Sequence, residues 1–426
     1  MNKQHFNPSR RRFLSGAVTI AGAAGVSSLG LMGSTLLAPK AVSAAPLPNH
    51  KRVVVLNLRG GNDGLNTVIP TARTAYYDVR SSIAIAGASA LPLFGSTTYR
   101  LHPSLTRVAA LANEGALAVV NQVGYPNRNL SHFLSEDIWS FGIRGNFSGN
   151  GVKTSGWMAR FADFYAPTPT GIVAVRSGRP TDFFGGTTSP LMVGSLSGFN
   201  FHTDWGHRYD HAYRQTVVQE VASAGVWEGD GLGASATAIA QSYDLAGEIK
   251  TAIDNYSSTV EYANQNPSHA FLDIARLIQA GFDTKIFYVG YGGFDTHSDQ
   301  PSRHANLLGA VDNALGAFAD DLKAMGAWQD TLVVVISEFG RRHDQNGSNG
   351  TDHGHGNCMM LLGGAVNGGV YGPDHTNADI EERMGTYRID FRTVYRQVLA
   401  DHLGVDPDPV FTEAAEISDS PGGLIA

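Results

Sequence analysis

Cysteine is nearly absent: Cys358 is the only one in 426 residues. No internal disulfide can form, so stability must come from a buried core, and a chain of this length can build one. A single cysteine at position 358 also excludes lipid attachment beside an N-terminal cleavage site. Positive charge is scarce as well, with 31 Lys and Arg against 38 Asp and Glu and a net charge of -7. Lys3, Arg10, Arg11, Arg12 and Lys40 all lie in residues 1–44, which contain no acid, so the remainder is more acidic still. That balance argues against nucleic acid or an anionic membrane surface as partner. Beyond Ala38 no apolar run is long enough to span a bilayer, so no stable membrane anchor is expected. Nucleotide signatures are missing too. The spacing of Gly60, Gly61 and Gly64 does not fit a dinucleotide fingerprint, and no phosphate-cradling Gly-Lys-Ser/Thr sequence occurs.

What residues 1–44 do contain is an ordered series of regions. Ser9-Arg10-Arg11-Arg12-Phe13-Leu14 precedes a Gly/Ala-rich apolar stretch, Gly16 to Ala38, and the small-residue site Val42-Ser43-Ala44 follows. Basic, apolar and cleavable regions in this order read as a twin-arginine signal peptide. A membrane-spanning helix is the alternative, but glycine, alanine and serine supply little apolar area. The expected partner during export is therefore the twin-arginine translocase, and residues 45–426 are expected to work in the periplasm or outside the cell. Export after folding suits a protein that acquires a metal or cofactor beforehand.

Arg52 to Leu58 is a β-branched apolar run that ends in a glycine-rich turn, the pattern of a buried strand. Further strands are predicted at Leu117 to Val123, Gly171 to Val175, Thr284 to Val289, Thr331 to Ile336 and Asn357 to Leu362. Helical spacing marks Leu105 to Ala112, Ser131 to Phe141, Phe271 to Ala280, Ala305 to Met325 and Phe391 to Leu403. Alternation of this kind predicts an α/β fold, a doubly wound and mainly parallel sheet flanked by helices. The stretch from about 195 to 265 is polar and aromatic-rich, helical in its second half, and reads as an insertion or cap on a single domain.

In such sheets ligands bind beyond the carboxyl ends of the strands, and the loops there hold the reactive residues. Arg59-Gly60-Gly61-Asn62-Asp63-Gly64 follows the first strand, and Asn127-Arg128-Asn129-Leu130-Ser131-His132 the second. Gly293-Phe294-Asp295-Thr296-His297, Ser337-Glu338-Phe339-Gly340-Arg341 and Asp352-His353-Gly354-His355 follow later. Carboxylates and imidazoles without thiolates suit a divalent ion such as zinc, manganese, calcium or magnesium. Asp63 reads equally well as a turn residue bonded to its own backbone. Ser131 stands at a helix start, either as a plain cap or as a nucleophile favoured by the helix dipole, with Arg128 and His132 adjacent. Arg128 and Arg341 suit the oxyanions of a phosphate or sulfate, or a neighbouring carboxylate.

Taken together, Arg-Gly-Gly-Asn-Asp-Gly-Leu-Asn-Thr at 59–67, Asn-Leu-Ser-His-Phe at 129–133, Gly-Gly-Phe-Asp-Thr-His at 292–297, Ser-Glu-Phe-Gly-Arg at 337–341 and Asp-His-Gly-His-Gly at 352–356 resemble the exported bacterial family catalogued as domain of unknown function 1501. That family resembles a branch of the alkaline phosphatase and sulfatase superfamily. The resemblance implies Asp63 as first-strand metal ligand, Ser131 as nucleophile, Asp295 with His297 as the first aspartate–histidine pair, Glu338 in the place of the second, and His353 or His355 as the last histidine. Two departures stand out. Only Thr296 separates the first pair, where the superfamily usually has three residues, and Phe339 stands where a nitrogen ligand belongs. The function implied is a hydrolase or transferase, using one or two metal ions, on small-molecule or polymer-borne phosphate or sulfate esters. The Glu338-Phe339 departure supports an alternative, an exported binding or assembly protein that turns nothing over. An exported redox protein is a third reading, without a cofactor fingerprint.

Overall fold

The computed structural model describes residues 50–144, 155–197, 213, 216–217, 220–221, 232–413 and 421–426. The twin-arginine segment lies outside the described residues, as does most of 198–231 in the expected cap. Two compact units emerge, Met1–Ser43 with Leu196–Asp254 and Ala44–Ser195 with Asn255–Ala426. The main described element of the first is the helix Leu232–Asn255, in the stretch expected to be a cap. Among the described residues no helix is long and apolar enough to cross a membrane.

Among the described residues the second unit holds twelve strands: β1 (Arg52–Arg59), β2 (Val68–Ile69), β3 (Leu91–Pro92), β4 (Arg100–Leu101), β5 (Leu117–Gly124), β6 (Ile172–Val175), β7 (Leu191–Val193), β8 (Ile286–Gly292), β9 (Thr331–Ile336), β10 (Asn357–Leu362), β11 (Gly369–Tyr371) and β12 (Ile389–Asp390). Nine form one sheet in the order β11-β5-β10-β9-β1-β8-β6-β7, with β12 beside β5, and the others make a small sheet β2-β4-β3. β1 is buried from Arg52 to Leu58 because it lies between β8 and β9, parallel to both, under helices on either side. Its apolar run is continuous for that reason.

The sheet is mainly parallel, with one reversal the sequence did not foretell. β10 runs antiparallel to both neighbours, β5 and β9. A short apolar run reads the same in either direction, so its polarity is settled only by the connections. The reversal places the site. Loops that follow β1, β5, β8 and β9 leave at one edge, and the loop that precedes β10 enters at the same edge. Five segments distant in sequence therefore meet there.

Helices His132–Phe141, Trp157–Tyr165 and Phe391–Gln397 cover a core that takes in Val53, Val55 and Val334 from the sheet. Trp139 stacks on Phe391 with centroids 4.3 Å apart, and Trp157 tilts against Tyr395 at 4.8 Å. Trp157–Tyr165 was not anticipated. The expected helix Phe391 to Leu403 appears as Phe391–Gln397 continued by a π-helical turn, Val398–His402. Ser268–Gln279 and Gln300–Ala324 pack on each other, with Phe271 and Phe318 centroids 5.0 Å apart, and Thr106–Asn113 packs on the second of them. Phe391→Ala removes a ring with no solvent exposure and one half of the Trp139 stack. The expected loss is about 3–5 kcal/mol, read from denaturant unfolding with an unchanged slope.

Candidate metal centre

The edge is assembled by close backbone approaches. Gly60 and Gly61 turn the chain out of β1 with φ values of 112° and 70°. A Cβ at Gly60 would stand 2.5 Å from the Asp295 nitrogen, and one at Gly61 would stand 2.5 Å from the Phe339 ring. Only glycine admits both the backbone conformation and the neighbour. Arg341, 2 % exposed, fastens the arrangement. Its Nε donates to the Gly61 carbonyl at 2.7 Å and Nη1 to the Thr351 carbonyl at 3.0 Å. Its Nη2 reaches the Phe294 carbonyl at 3.1 Å, the Gly60 carbonyl and Asp295 Oδ1.

Around Asp295 Oδ1 three imidazoles converge through Nε2: His297 at 3.0 Å, His353 at 3.1 Å and His132 at 3.5 Å. The other ring nitrogen of each faces an acceptor. His132 Nδ1 lies 2.7 Å from Glu338 Oε1, His353 Nδ1 2.8 Å from the Leu130 carbonyl, and His297 Nδ1 3.1 Å from Asp352 Oδ1. Each ring is thus anchored by an oxygen at Nδ1 and turns its Nε2 toward the carboxylate. The bond to Glu338 raises the pKa of His132. Burial raises that of Asp295, but the hydrogen bond and charge of Arg341, with the contributions of His353 and His297, together outweigh it and hold the group at about 2. Lone pairs gathered on an ionised oxygen repel unless a proton or cation stands between them. His132 Nε2, although shielded from solvent, has no hydrogen-bond partner among the described residues.

His132, Asp295 and His353 offer one atom each within 4.8 Å of one another, and among the described residues they are the group able to hold a metal ion. His297 adjoins it, its Nε2 3.0 Å from His353 Nε2. An imidazole whose second nitrogen is fixed by a carboxylate or carbonyl is the usual form of a metal-ligating histidine. Such a donor set fits a divalent ion. Phe339 packs beneath His132 and His353, ring centroids 4.8 and 4.9 Å away. His132, which the sequence had suggested for catalysis, brings a ring nitrogen to the edge where Glu338-Phe339 has none.

The remaining candidates fall elsewhere. The Asp63 carboxylate is buried in a bidentate pair with Arg80, at 2.7 and 3.0 Å, and also accepts from Gln300 Nε2 and the Asn66 amide. Burial opposes its ionisation, but Arg80 prevails and the pKa is lowered. Glu338, buried, accepts from the Gly60 amide and Ser337 Oγ besides His132, which makes it a support for the imidazole. His355 Nε2 bonds the Tyr125 carbonyl at 2.7 Å, and burial pushes its pKa down to about 4. Arg341, buried and with most of its guanidinium donors engaged by carbonyls and Asp295, is poorly placed to clamp an oxyanion, and Arg128 is exposed with no ion pair among the described residues. Ser131 does stand at the N-cap of His132–Phe141, yet its side chain makes no capping bond. Asp352 and the Leu130 carbonyl, which orient two of the rings, were not picked out. Adjacency of Asp352 to His353 was the only signal.

A family model described as a protein of unknown function (DUF1501) matches residues 121–413. The chain belongs to this DUF1501 family. No curated protein matches it. Among solved structures it is similar to the lipoteichoic acid synthase LtaP from Listeria monocytogenes, at 10% identity and a TM-score of 0.38 over 80% of this chain and 74% of that one. It is also similar to alkaline phosphatase from the Antarctic bacterium TAB5, at 14% identity and a TM-score of 0.35 over 86% and 99%. The zinc complex of the C-terminal periplasmic domain of EcEptC from Escherichia coli gives 10% identity and a TM-score of 0.36 over 75% and 76%.

Two outcomes follow for this DUF1501 member. His132→Ala, His353→Ala and Asp295→Asn are expected to abolish tight zinc binding in calorimetric titration, and Glu338→Gln to weaken it about 10–100-fold. Asp63→Asn and His355→Gln are expected to leave it unchanged. Arg80→Met strands a buried carboxylate at Asp63 and is expected to cost roughly 3–5 kcal/mol at pH 7. A lowered folded pKa gives stability that is present above the unfolded value of about 3.9 and is lost as pH falls through the folded value. The gap between variant and parent, measured by denaturation against pH, should therefore narrow in acid.

Proposed function

We propose that this protein is an exported, metal-dependent hydrolase or transferase acting on phosphate or sulfate esters. The observation that carries the reading is the set of three imidazoles, each with its Nδ1 anchored, turning Nε2 toward Asp295 Oδ1. His132, Asp295, His353 and His297 would hold the ion. Nitrogen-rich donors favour zinc or a similar borderline cation, while calcium and magnesium prefer oxygen. When bound, the ion supplies Lewis-acid polarisation and a lowered pKa for an attacking hydroxyl.

Ser131 is the residue we assign as nucleophile. It lies between Leu130, whose carbonyl orients His353, and His132, which faces Asp295. Its hydroxyl is not spent on capping, so the first-turn amides of His132–Phe141 keep their affinity for negative charge. Ester oxygens that gain charge as Ser131 attacks are stabilised by that helix end. The signal-like segment Ser9 to Leu14 supports passage through the twin-arginine translocase and work in the periplasm or outside the cell. A binding or assembly role without turnover draws on a different observation, that Arg341 is not free to clamp an anion.

A panel of phosphate and sulfate monoesters and diesters, assayed with zinc content measured on the same sample, separates the two. Turnover by the parent, with loss of roughly 10³-fold or more in Ser131→Ala at unchanged zinc content, is the expected result. Undiminished turnover in Ser131→Ala removes that residue from the chemistry. A zinc-loaded parent inert on every ester favours the binding role.

A further inference from the structure

An anionic ester at this edge meets carboxylates on several sides, and the buried arginines nearest it, Arg341 and Arg80, are largely engaged within the protein. Arg341 gives its donors to carbonyls and Asp295, and Arg80 gives its own to Asp63, Asn66 and the carbonyls of Arg342 and His343. Arg59 is different. It is the last residue of β1, and its backbone is fixed to the site from two directions. Its carbonyl accepts from the amide of Phe294, next to Asp295, and the following amide, Gly60, donates to Glu338, the carboxylate that orients His132.

The Arg59 side chain is 37% exposed and runs over Gly290 of β8, where a Cβ would lie 3.2 Å from Nε, toward the helix that His132 begins. There its Nε stands 3.4 Å from Glu136 Oε1 without hydrogen-bond geometry, and Nε has no hydrogen-bond partner. Among the described residues the guanidinium makes one long bond, Nη2 to the Tyr288 hydroxyl at 3.4 Å. Most of its five donors are therefore unspent. Glu136 lies four positions after His132, on the same helix face. A half-exposed, loosely made ion pair of this kind is worth little and exchanges readily.

We propose that Arg59 is the residue that takes the anionic oxygens of the ligand, and that Glu136 occupies its guanidinium until an anion displaces it. This rests on the reading of the edge as a site for phosphate or sulfate esters. Guanidinium and a tetrahedral oxyanion match in a bidentate fork, which the single 3.4 Å contact to Glu136 does not make. Glu136 acts here as an internal competitor: removing its charge frees the arginine.

Binding of inorganic phosphate and inorganic sulfate to the zinc-loaded full chain, by calorimetry, tests the proposal without any turnover. Arg59→Ala is expected to weaken binding at least tenfold at unchanged zinc stoichiometry and melting temperature. Arg59→Lys should recover part of the loss, and Glu136→Gln should tighten binding several-fold. Arg107→Ala, which removes an equal charge from an exposed pair with Asp320, should leave binding unchanged. Equal affinity in Arg59→Ala and the parent overturns the proposal, as does weaker binding in Glu136→Gln or a parent that binds neither anion. An inert parent whose phosphate binding depends on Arg59 defeats the esterase reading and leaves this assignment standing.

Discussion

One buried guanidinium holds the edge of the sheet together. Arg341 ties the turn after β1, the turn after β8 and the segment before β10 to its own loop through four carbonyls and Asp295. Backbone carbonyls at a glycine-rich turn have no ladder partners, and a planar cation with five donors answers several at once. The bond to Asp295 makes that carboxylate a fixed charge around which the imidazoles are arranged. The same backbone segment also pairs with the strand-like stretch around His353, Arg341 bridging to it in antiparallel fashion. The chemistry of the edge thus begins with a residue that itself stays out of reach of any ligand.

Orientation is settled before any ion arrives. Glu338, the Leu130 carbonyl and Asp352 each fix one ring, so the protein has already met the entropic cost of aiming three side chains. Preorganisation of this sort holds ring nitrogens and a carboxylate at short range, an arrangement that the proposed ion would suit. Asp63 shows the opposite solution: a carboxylate neutralised within the protein by Arg80, leaving no valence for a cation. Two acidic residues at equivalent places, after β1 and after β8, therefore do different work.

The layout of strands and helices was legible because the central strands are buried on both faces, and continuous apolar runs between glycine-rich turns betray that. The reactive loops were legible for a related reason, since carboxylates and imidazoles crowd where strands end. What the letters could not convey was pairing. Nothing in Asp63 says that Arg80, in another loop, will claim both of its oxygens. Nothing in Arg341 says that carbonyls rather than a ligand will use its donors. His132 and His355 read alike, yet one faces Asp295 and the other the Tyr125 carbonyl, a difference of ring direction set by tertiary packing. Arg59 stands in its motif with nothing in the letters to show that its guanidinium lies beside the helix His132 begins.

The position of β1 carries one more implication, for the order in which the molecule is made. This earliest strand has as its two neighbours β8 and β9, from the far part of the chain, and Asn57 bonds Tyr288 across 231 positions. During synthesis an apolar segment must wait, unpaired, until most of the polypeptide has left the ribosome. Long-range closures of this kind slow folding and leave sticky edges exposed meanwhile. In a chain so built the stretch Val53 to Leu58, among the first to be made, is among the last to be buried.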